Sequence, residues 1–207
     1  VIPVPKQWPG ATVVLIGGGP SLTVADVELV EQLHRIGAVR SIAINNAYVI
    51  APWADVLYAA DAQWWEWHGG VPSFTGPKYS IEGREQVRYP DVQILRNTGF
   101  TGLELDPSGL RAGFNSGYQA LNLAVHLGAV RIVLLGFDLS VDGAKSHWFG
   151  DHPIHRASPY AQMIAAFETL PEPLAALGVS VVNCSRRTAL TCFPCASIDD
   201  ALMERAA

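Results

Sequence analysis

Asn115-Ser-Gly-Tyr-Gln-Ala-Leu-Asn-Leu-Ala-Val-His-Leu-Gly128 runs almost directly into Arg131-Ile-Val-Leu-Leu-Gly-Phe-Asp138, and these two segments decide the fold. In the first, Leu123, Ala124 and Leu127 recur at helical spacing. Asn115-Ser116-Gly117 opens that helix and Gly128 closes it in the manner of a C-terminal glycine cap. The second segment is a short unbroken apolar run, which suits a strand covered on both faces. Asp138 then falls at its carboxyl end, where open α/β sheets place ligand-binding groups. The loop beyond reads Ser146-His-Trp-Phe-Gly-Asp-His-Pro153, dense in titratable and aromatic groups for a connector.

Working outward, Ala11-Thr-Val-Val-Leu-Ile16 has the pattern of a buried strand, and Gly17-Gly-Gly-Pro-Ser-Leu22 follows it at once. Glycines at a strand-to-helix turn let backbone amides approach a phosphate, and the next helix adds partial positive charge. Gly17, Gly18, Gly19, Pro20 and Ser21 are therefore candidate nucleotide-binding residues. The turn is not a Walker A loop, because no Gly-Lys-Ser/Thr follows. It also misses the dinucleotide fingerprint, because Leu22 holds the third glycine position. Thr23 and Asp26 predict a capping box for a helix through about Ile36.

Two more strands are expected, Ser41-Ile-Ala-Ile-Asn45 and Asp55-Val-Leu-Tyr-Ala59, delivering Asn45 and Asp61 near their carboxyl ends. Trp64, Trp65 and Trp67 read mainly as packing residues. Residues 69–113 carry scattered glycine, proline and charge around one strand, Val92 to Leu95, and read as an irregular insertion. A helix over Ser158 to Leu177, broken near Pro171 and Pro173, precedes a last strand, Val179 to Val182, and a short helix capped by Ser197. This order predicts a single α/β domain over residues 1–207, a three-layer Rossmann-like fold with a mostly parallel sheet.

At 207 residues, 49% hydrophobic and 16% charged, the chain can bury one sizeable core. A formal charge of −5 argues against a broad nucleic-acid surface. Three cysteines, Cys184, Cys192 and Cys195, fit a reducing compartment better than a disulfide framework. No apolar run approaches the roughly 20 residues of a membrane span, and Val1 to Pro9 lacks a signal pattern, so a cytoplasmic protein is expected.

The motifs taken together, in order, carry a family resemblance: Gly17-Gly-Gly-Pro-Ser-Leu22, Ile44-Asn-Asn-Ala-Tyr48, Asn115-Ser-Gly-Tyr118, Arg131 to Asp138, Ser146-His-Trp-Phe-Gly-Asp-His152 and Val182-Asn-Cys-Ser185. From Val13 to about Pro194 the chain resembles the bacterial lipooligosaccharide sialyltransferases and the related hydroxymethylpterin pyrophosphokinase-like group of phage and prophage genomes. The resemblance implies a nucleotide- or nucleotide-sugar-dependent transferase, with a CMP-type donor favoured and an unidentified hydroxyl acceptor. Gly17 to Ser21, Asn45, Ser116 and Asp138 would surround the nucleotide; Asn115 at the helix start and Asp61 after the third strand are further candidate nucleotide-binding residues by their position. The general base would be His152, with His147 the alternative, since imidazole titrates near neutral pH. Two positions depart from the sialyltransferase pattern: Gly18 stands where that family has asparagine, and Ser140 where it has tyrosine. Under the pyrophosphokinase-like alternative the ligand is ATP, with magnesium held by Asp61 and Asp138, although no Asp-x-Asp run is present. A phage- or prophage-type module that keeps the fold without catalysis is a further alternative. No metal site is expected otherwise: His147, Asp151, His152 and His155 have zinc-ligand chemistry but match no zinc spacing. In the bland alternative His147 and Trp148 pack the loop while His152 and His155 face water. Cys184 reads as a small buried hydrophobe before it reads as a nucleophile.

Overall fold

The computed structural model describes residues 1–143, 145–150, 153 and 158–203. Its centre is an eight-stranded sheet: β1 (Ala11–Ile16), β2 (Arg40–Ile44), β3 (Val56–Tyr58), β4 (Lys78–Ile81), β5 (Val92–Asn97), β6 (Gly109–Leu110), β7 (Ala129–Leu135) and β8 (Ser180–Asn183). All neighbouring pairs are parallel, in the order β6-β5-β4-β3-β2-β1-β7-β8. The helices are α1 (Val24–Arg35), α2 (Ala62–Trp67), α3 (Ser116–Leu127), α4 (Tyr160–Phe167), α5 (Pro171–Ala176) and α6 (Ile198–Met203).

The strands read as apolar runs because both their faces are covered. Val13 and Leu15 of β1 join Ile132 and Leu134 of β7 in a core with Leu121 and Leu123 of α3 and Phe167 of α4. Val14 and Ile16 join Val133 and Leu135 in a second core with Val27 and Val30 of α1 and Trp64 and Trp65 of α2. This alternation sends neighbouring side chains to opposite layers. It gives the three-layer α/β arrangement that the order of elements implies.

Capping marks the helices that matter. The Thr23 side chain accepts from the Asp26 amide at 3.2 Å while Asp26 accepts from the Thr23 amide, completing the expected box at α1. Asn115 caps α3 by accepting from the Tyr118 amide at 2.9 Å, and Gly128 ends it at φ +106°. The expected helix over Ser158 to Leu177 is two helices, parted where Pro171 begins α5.

The stretch 69–113 is not an irregular insertion. It supplies β4, β5 and β6, which extend the same parallel sheet. Lys78 hides β4 from a hydropathy pattern: it is buried, yet its Nζ donates to the Gly70 carbonyl at 2.9 Å and to Asp91 at 2.7 Å. Within the described residues no helix is long and apolar enough to cross a membrane.

The strand order locates the site. From β1 the chain winds outward through β2 to β6, then α3 carries it back across to β7 on the other side of β1. The winding reverses between β1 and β7, and at such a reversal the loops leaving the two strands part to open a crevice at their carboxyl ends.

Candidate functional site

A cleft occupies that crevice. Gly17, Gly18, Gly19 and Pro20 after β1, Ile44 and Asn45 at the end of β2, and Asn115, Ser116 and Gly117 at the start of α3 line it. Its opposite wall comes from Gly136, Phe137, Leu139 and Ser140 after β7, with Ser146, His147, Phe149, Ser158, Tyr160 and Met163.

The glycine turn is built differently from a phosphate cradle. The Gly17 amide donates to the Leu135 carbonyl at 2.8 Å, and the Gly19 amide to the Gly136 carbonyl at 2.8 Å. Ser21 gives its amide and its hydroxyl to the two oxygens of Asp138, both at 2.9 Å, and the Leu22 amide turns back to the Gly19 carbonyl. Pro20 has no amide hydrogen. Among the described residues, Gly18 therefore holds the one N–H between Gly17 and Leu22 that no described group takes. The glycines serve close packing: a Cβ on Gly17 would lie 2.8 Å from the Gly136 carbonyl oxygen, and one on Gly19 would sit on the Asp138 carboxylate, 2.7 Å from its Cγ.

Asp138 is the clamp of this turn. It is 2% exposed and does not line the cleft. Burial raises its pKa above the ordinary carboxylate value, against the lowering effect of the Ser21 hydrogen bonds and the Arg187 charge. Arg187 itself pairs with Asp142. Its expected place among the ligand-binding groups is thus taken by a role one layer behind them.

The other backbone donors on the cleft wall are at the start of α3. The first turn of a helix leaves its leading amides without intrahelical acceptors and carries partial positive charge. Here those are the amides of Ser116 and Gly117, both on the cleft wall. Phe137 wedges its ring between the two glycine segments: a Cβ on Gly117 would stand 2.7 Å from its Cε1 and one on Gly17 3.2 Å from its Cε2. The Ser116 hydroxyl accepts from the Ala60 amide at 3.4 Å. Asp61 is exposed at the head of α2, next in sequence to Ala60, and outside the cleft lining.

Backbone strain concentrates around the opening. Asn45 lies at φ +50° and Leu139 at φ +47°, both on the cleft wall, and Phe114 lies at φ +63° one residue before Asn115. Asparagine tolerates that region, whereas a leucine or phenylalanine there costs about 1–3 kcal/mol.

His147 lies in the cleft and is laid over the glycine turn. Its Cδ2 is 3.2 Å from where a Gly18 Cβ would be, its ring stacks on Phe149 at 4.8 Å, and the Trp148 amide donates to the Gly18 carbonyl at 3.1 Å. His152, the first-choice base, lies outside the described residues, as do Asp151 and His155. Among the described residues no group of three or more metal-ligating side chains converges. Trp64 and Trp65 are buried, their indole N–H groups donating to Asn46 Oδ1 and the Ala59 carbonyl, and so they pack as expected. Burial pushes the Cys184 thiol up to about 11, which leaves it protonated at neutral pH and unsuited to nucleophilic attack.

Sequence reasoning missed Phe137, Leu139, Phe149, Tyr160 and Met163 as cleft residues. Tyr160 and Met163 are spaced i, i+3 on one side of α4, but Met163 also lies at helical spacing from the buried Ala166 and Phe167, which masks its place on the cleft wall.

No protein-family model matches the chain, and no curated protein matches it. Among solved structures the fold is similar to the MAf glycosyltransferase from Magnetospirillum magneticum AMB-1, with a TM-score of 0.64 at 15% identity. That similarity covers 96% of this chain and 35% of the other, so the chain spans about a third of that protein's length. At this identity the likeness is one of fold.

Proposed function

We propose that the cleft binds a nucleotide-sugar donor, CMP-type favoured, and that the chain transfers its glycosyl group to an acceptor hydroxyl. The observation that carries this reading is the convergence, at the reversal of strand order, of the α3 N-terminus, the Gly18 amide that no described group takes and the imidazole of His147. An anionic donor needs the first two. Its phosphate would lie between Gly18, Ser116 and Gly117, with Asn45 toward the ribose or base. The fold likeness to a glycosyltransferase supports the same class of chemistry.

In such a transfer the acceptor hydroxyl attacks the anomeric carbon, the bond from that carbon to the leaving phosphate oxygen breaks, and the hydroxyl proton passes to a base. His147 faces the cleft and has the chemistry for that proton transfer; His152 is the alternative in the same loop. The amides at α3 would stabilise charge appearing on the leaving phosphate.

The ATP and magnesium alternative is less well supplied, because Asp138 is committed to Ser21 and Asp61 stands outside the cleft lining. One observation favours a non-catalytic module of the phage- or prophage-type kind. The glycine turn satisfies most of its own amides with protein acceptors, as a purely structural turn would.

A thermal-shift panel of CMP, UDP, ADP and ATP, each with and without magnesium, tests these readings. A ligand at 100 times its dissociation constant adds about 2.7 kcal/mol of stability. A CMP shift without magnesium supports the transferase reading. A shift with ATP alone that requires magnesium supports the pyrophosphokinase alternative, and no shift with any nucleotide supports the module.

A further inference from the structure

Phe100 and Phe114 form the most exposed pair of touching aromatic rings in the described surface near the cleft. They are 61% and 41% exposed, and their rings lie nearly parallel, 16° apart with centroids at 5.5 Å, so the pair leaves substantial apolar surface in water. Phe100 follows β5 and Phe114 follows β6. Both strands run parallel to β1, so both loops open on the edge of the sheet that carries the cleft. Phe114 is one Cα step, about 3.8 Å, from Asn115 on the cleft wall.

These rings are not on loose loops. The Thr98 amide donates to the Leu110 carbonyl at 3.0 Å, Ala112 to Gly99 at 2.8 Å and Gly113 to Phe100 at 2.8 Å, which zips the two loops together. Gly102 is fixed from both sides, its amide donating to Thr169 Oγ1 at 2.9 Å and its carbonyl accepting from the Tyr118 hydroxyl at 2.7 Å. The chain thus holds two large apolar faces in water on a rigid frame, and holds Phe114 in a backbone region that phenylalanine disfavours.

We infer that the Phe100–Phe114 pair is the acceptor-side platform of the cleft and that it takes the C–H face of a pyranose ring. This rests on the glycosyl-transfer reading above. The pair lies outside the cleft lining, so a donor seated between Gly18 and α3 leaves it to the second substrate. Aromatic faces carry negative potential, which repels phosphate and attracts polarised C–H bonds. Sugar rings offer such C–H faces bounded by hydroxyl edges. The rim answers those hydroxyls: Arg111 lies against Gly99, its Nη1 2.7 Å from where a Cβ would be, and Asn97 and Thr101 are exposed beside it. An alkyl chain would have no use for that polar rim.

The test is saturation-transfer NMR on the full chain with methyl galactoside, methyl glucoside and dodecyl maltoside, in the presence and absence of CMP. The variants are Phe100→Ser and Phe114→Asn; asparagine accepts the left-handed backbone, so Phe114→Asn should melt at or above the wild-type temperature. The expected result is transfer to ring C–H protons of at least one methyl glycoside, reduced more than fivefold in both variants, with any CMP thermal shift unchanged. Equal transfer in wild type and folded variants would overturn the platform. So would transfer confined to the dodecyl chain, or loss of the CMP shift in either variant, which would place the nucleobase there. Sugar transfer that depends on the two rings in a protein that shows no shift with any nucleotide would sustain the platform while removing the donor reading.

Discussion

Gly19→Ala is the sharpest test of how the site is built. The added methyl would lie 2.6 Å from the Gly136 carbonyl oxygen and 2.7 Å from Asp138 Cγ, where the carboxylate already sits. To admit it Asp138 must move, which weakens the two 2.9 Å hydrogen bonds from Ser21. Hydrogen bonds to a charged acceptor contribute about 1.5–3 kcal/mol each, and crowding a packed site costs about 1–3 kcal/mol. Losing one bond's worth and adding the crowding gives about 2.5–6 kcal/mol, a large share of the roughly 5–15 kcal/mol that holds a domain folded. Gly18→Ala is the internal control, since its methyl would meet only the edge of His147 at 3.2 Å and Phe149 at 3.6 Å, both side-chain contacts. It should cost about 1 kcal/mol or less. Urea unfolding followed by far-UV circular dichroism reads both, and Gly19→Ala/Asp138→Ala adds a double-mutant cycle. The pair should be destabilised by less than the sum of the single variants, because the clash partner has gone. Gly19→Ala within about 1 kcal/mol of wild type, or strict additivity in the cycle, would refute the clamp.

Other consequences can be checked separately. If His147 is the base, His147→Ala should lower turnover by about two to four powers of ten with donor affinity nearly intact, and an equal loss confined to His152→Ala would move the role there. Asp138 has a raised pKa in the folded protein, so its stabilising contribution is complete below the ordinary value of 3.8 and is lost as pH rises through the raised one. Asp138→Asn, which stays neutral, should therefore gain in melting temperature relative to wild type as pH rises across that window; parallel curves would count against burial as the cause. Asp26 behaves oppositely: burial raises its pKa, but hydrogen bonds from Arg186 and Thr23 prevail and the net shift is downward. Its contribution is present above 3.8 and lost as pH falls through the depressed value, so Asp26→Ala should cost about 1–3 kcal/mol at neutral pH and progressively less in acid, read from denaturant midpoints.

The parts of the fold legible in the sequence are those whose cause is local. Strands β1, β2 and β7 announce themselves because burial on both faces leaves Val, Leu and Ile in unbroken runs, and α1 and α3 because their caps lie within three residues of what they cap. β4 and β6 did not. Ser80 and Lys78 are polar residues in a fully buried strand, made tolerable by the Ala60 and Gly70 carbonyls and by Asp91, which are partners that only folding brings near. β6 is two residues long and exists because β5 offers it an edge.

The site divides along the same line. Asn115 and Ser116 could be read as a helix start, and a helix start can hold an anion wherever it points, so their presence in the cleft needed only the crossover that follows. The glycine turn could not be read that way, because what its amides do depends on β7. Leu135, Gly136 and Asp138 are more than a hundred residues away in sequence and become its acceptors only when β7 inserts beside β1. A run of glycines after a strand therefore has two physical meanings, amides offered to a ligand or backbone brought against a neighbouring strand end. Here the second meaning accounts for Gly17 and Gly19: a side chain on either would strike protein backbone or the Asp138 carboxylate, whereas one on Gly18 would strike the loop that carries His147. Gly18 is thus the one of the three glycines whose side chain would meet the histidine loop alone, at His147 and Phe149, so a methyl there crowds two side chains and leaves the turn's own acceptors untouched.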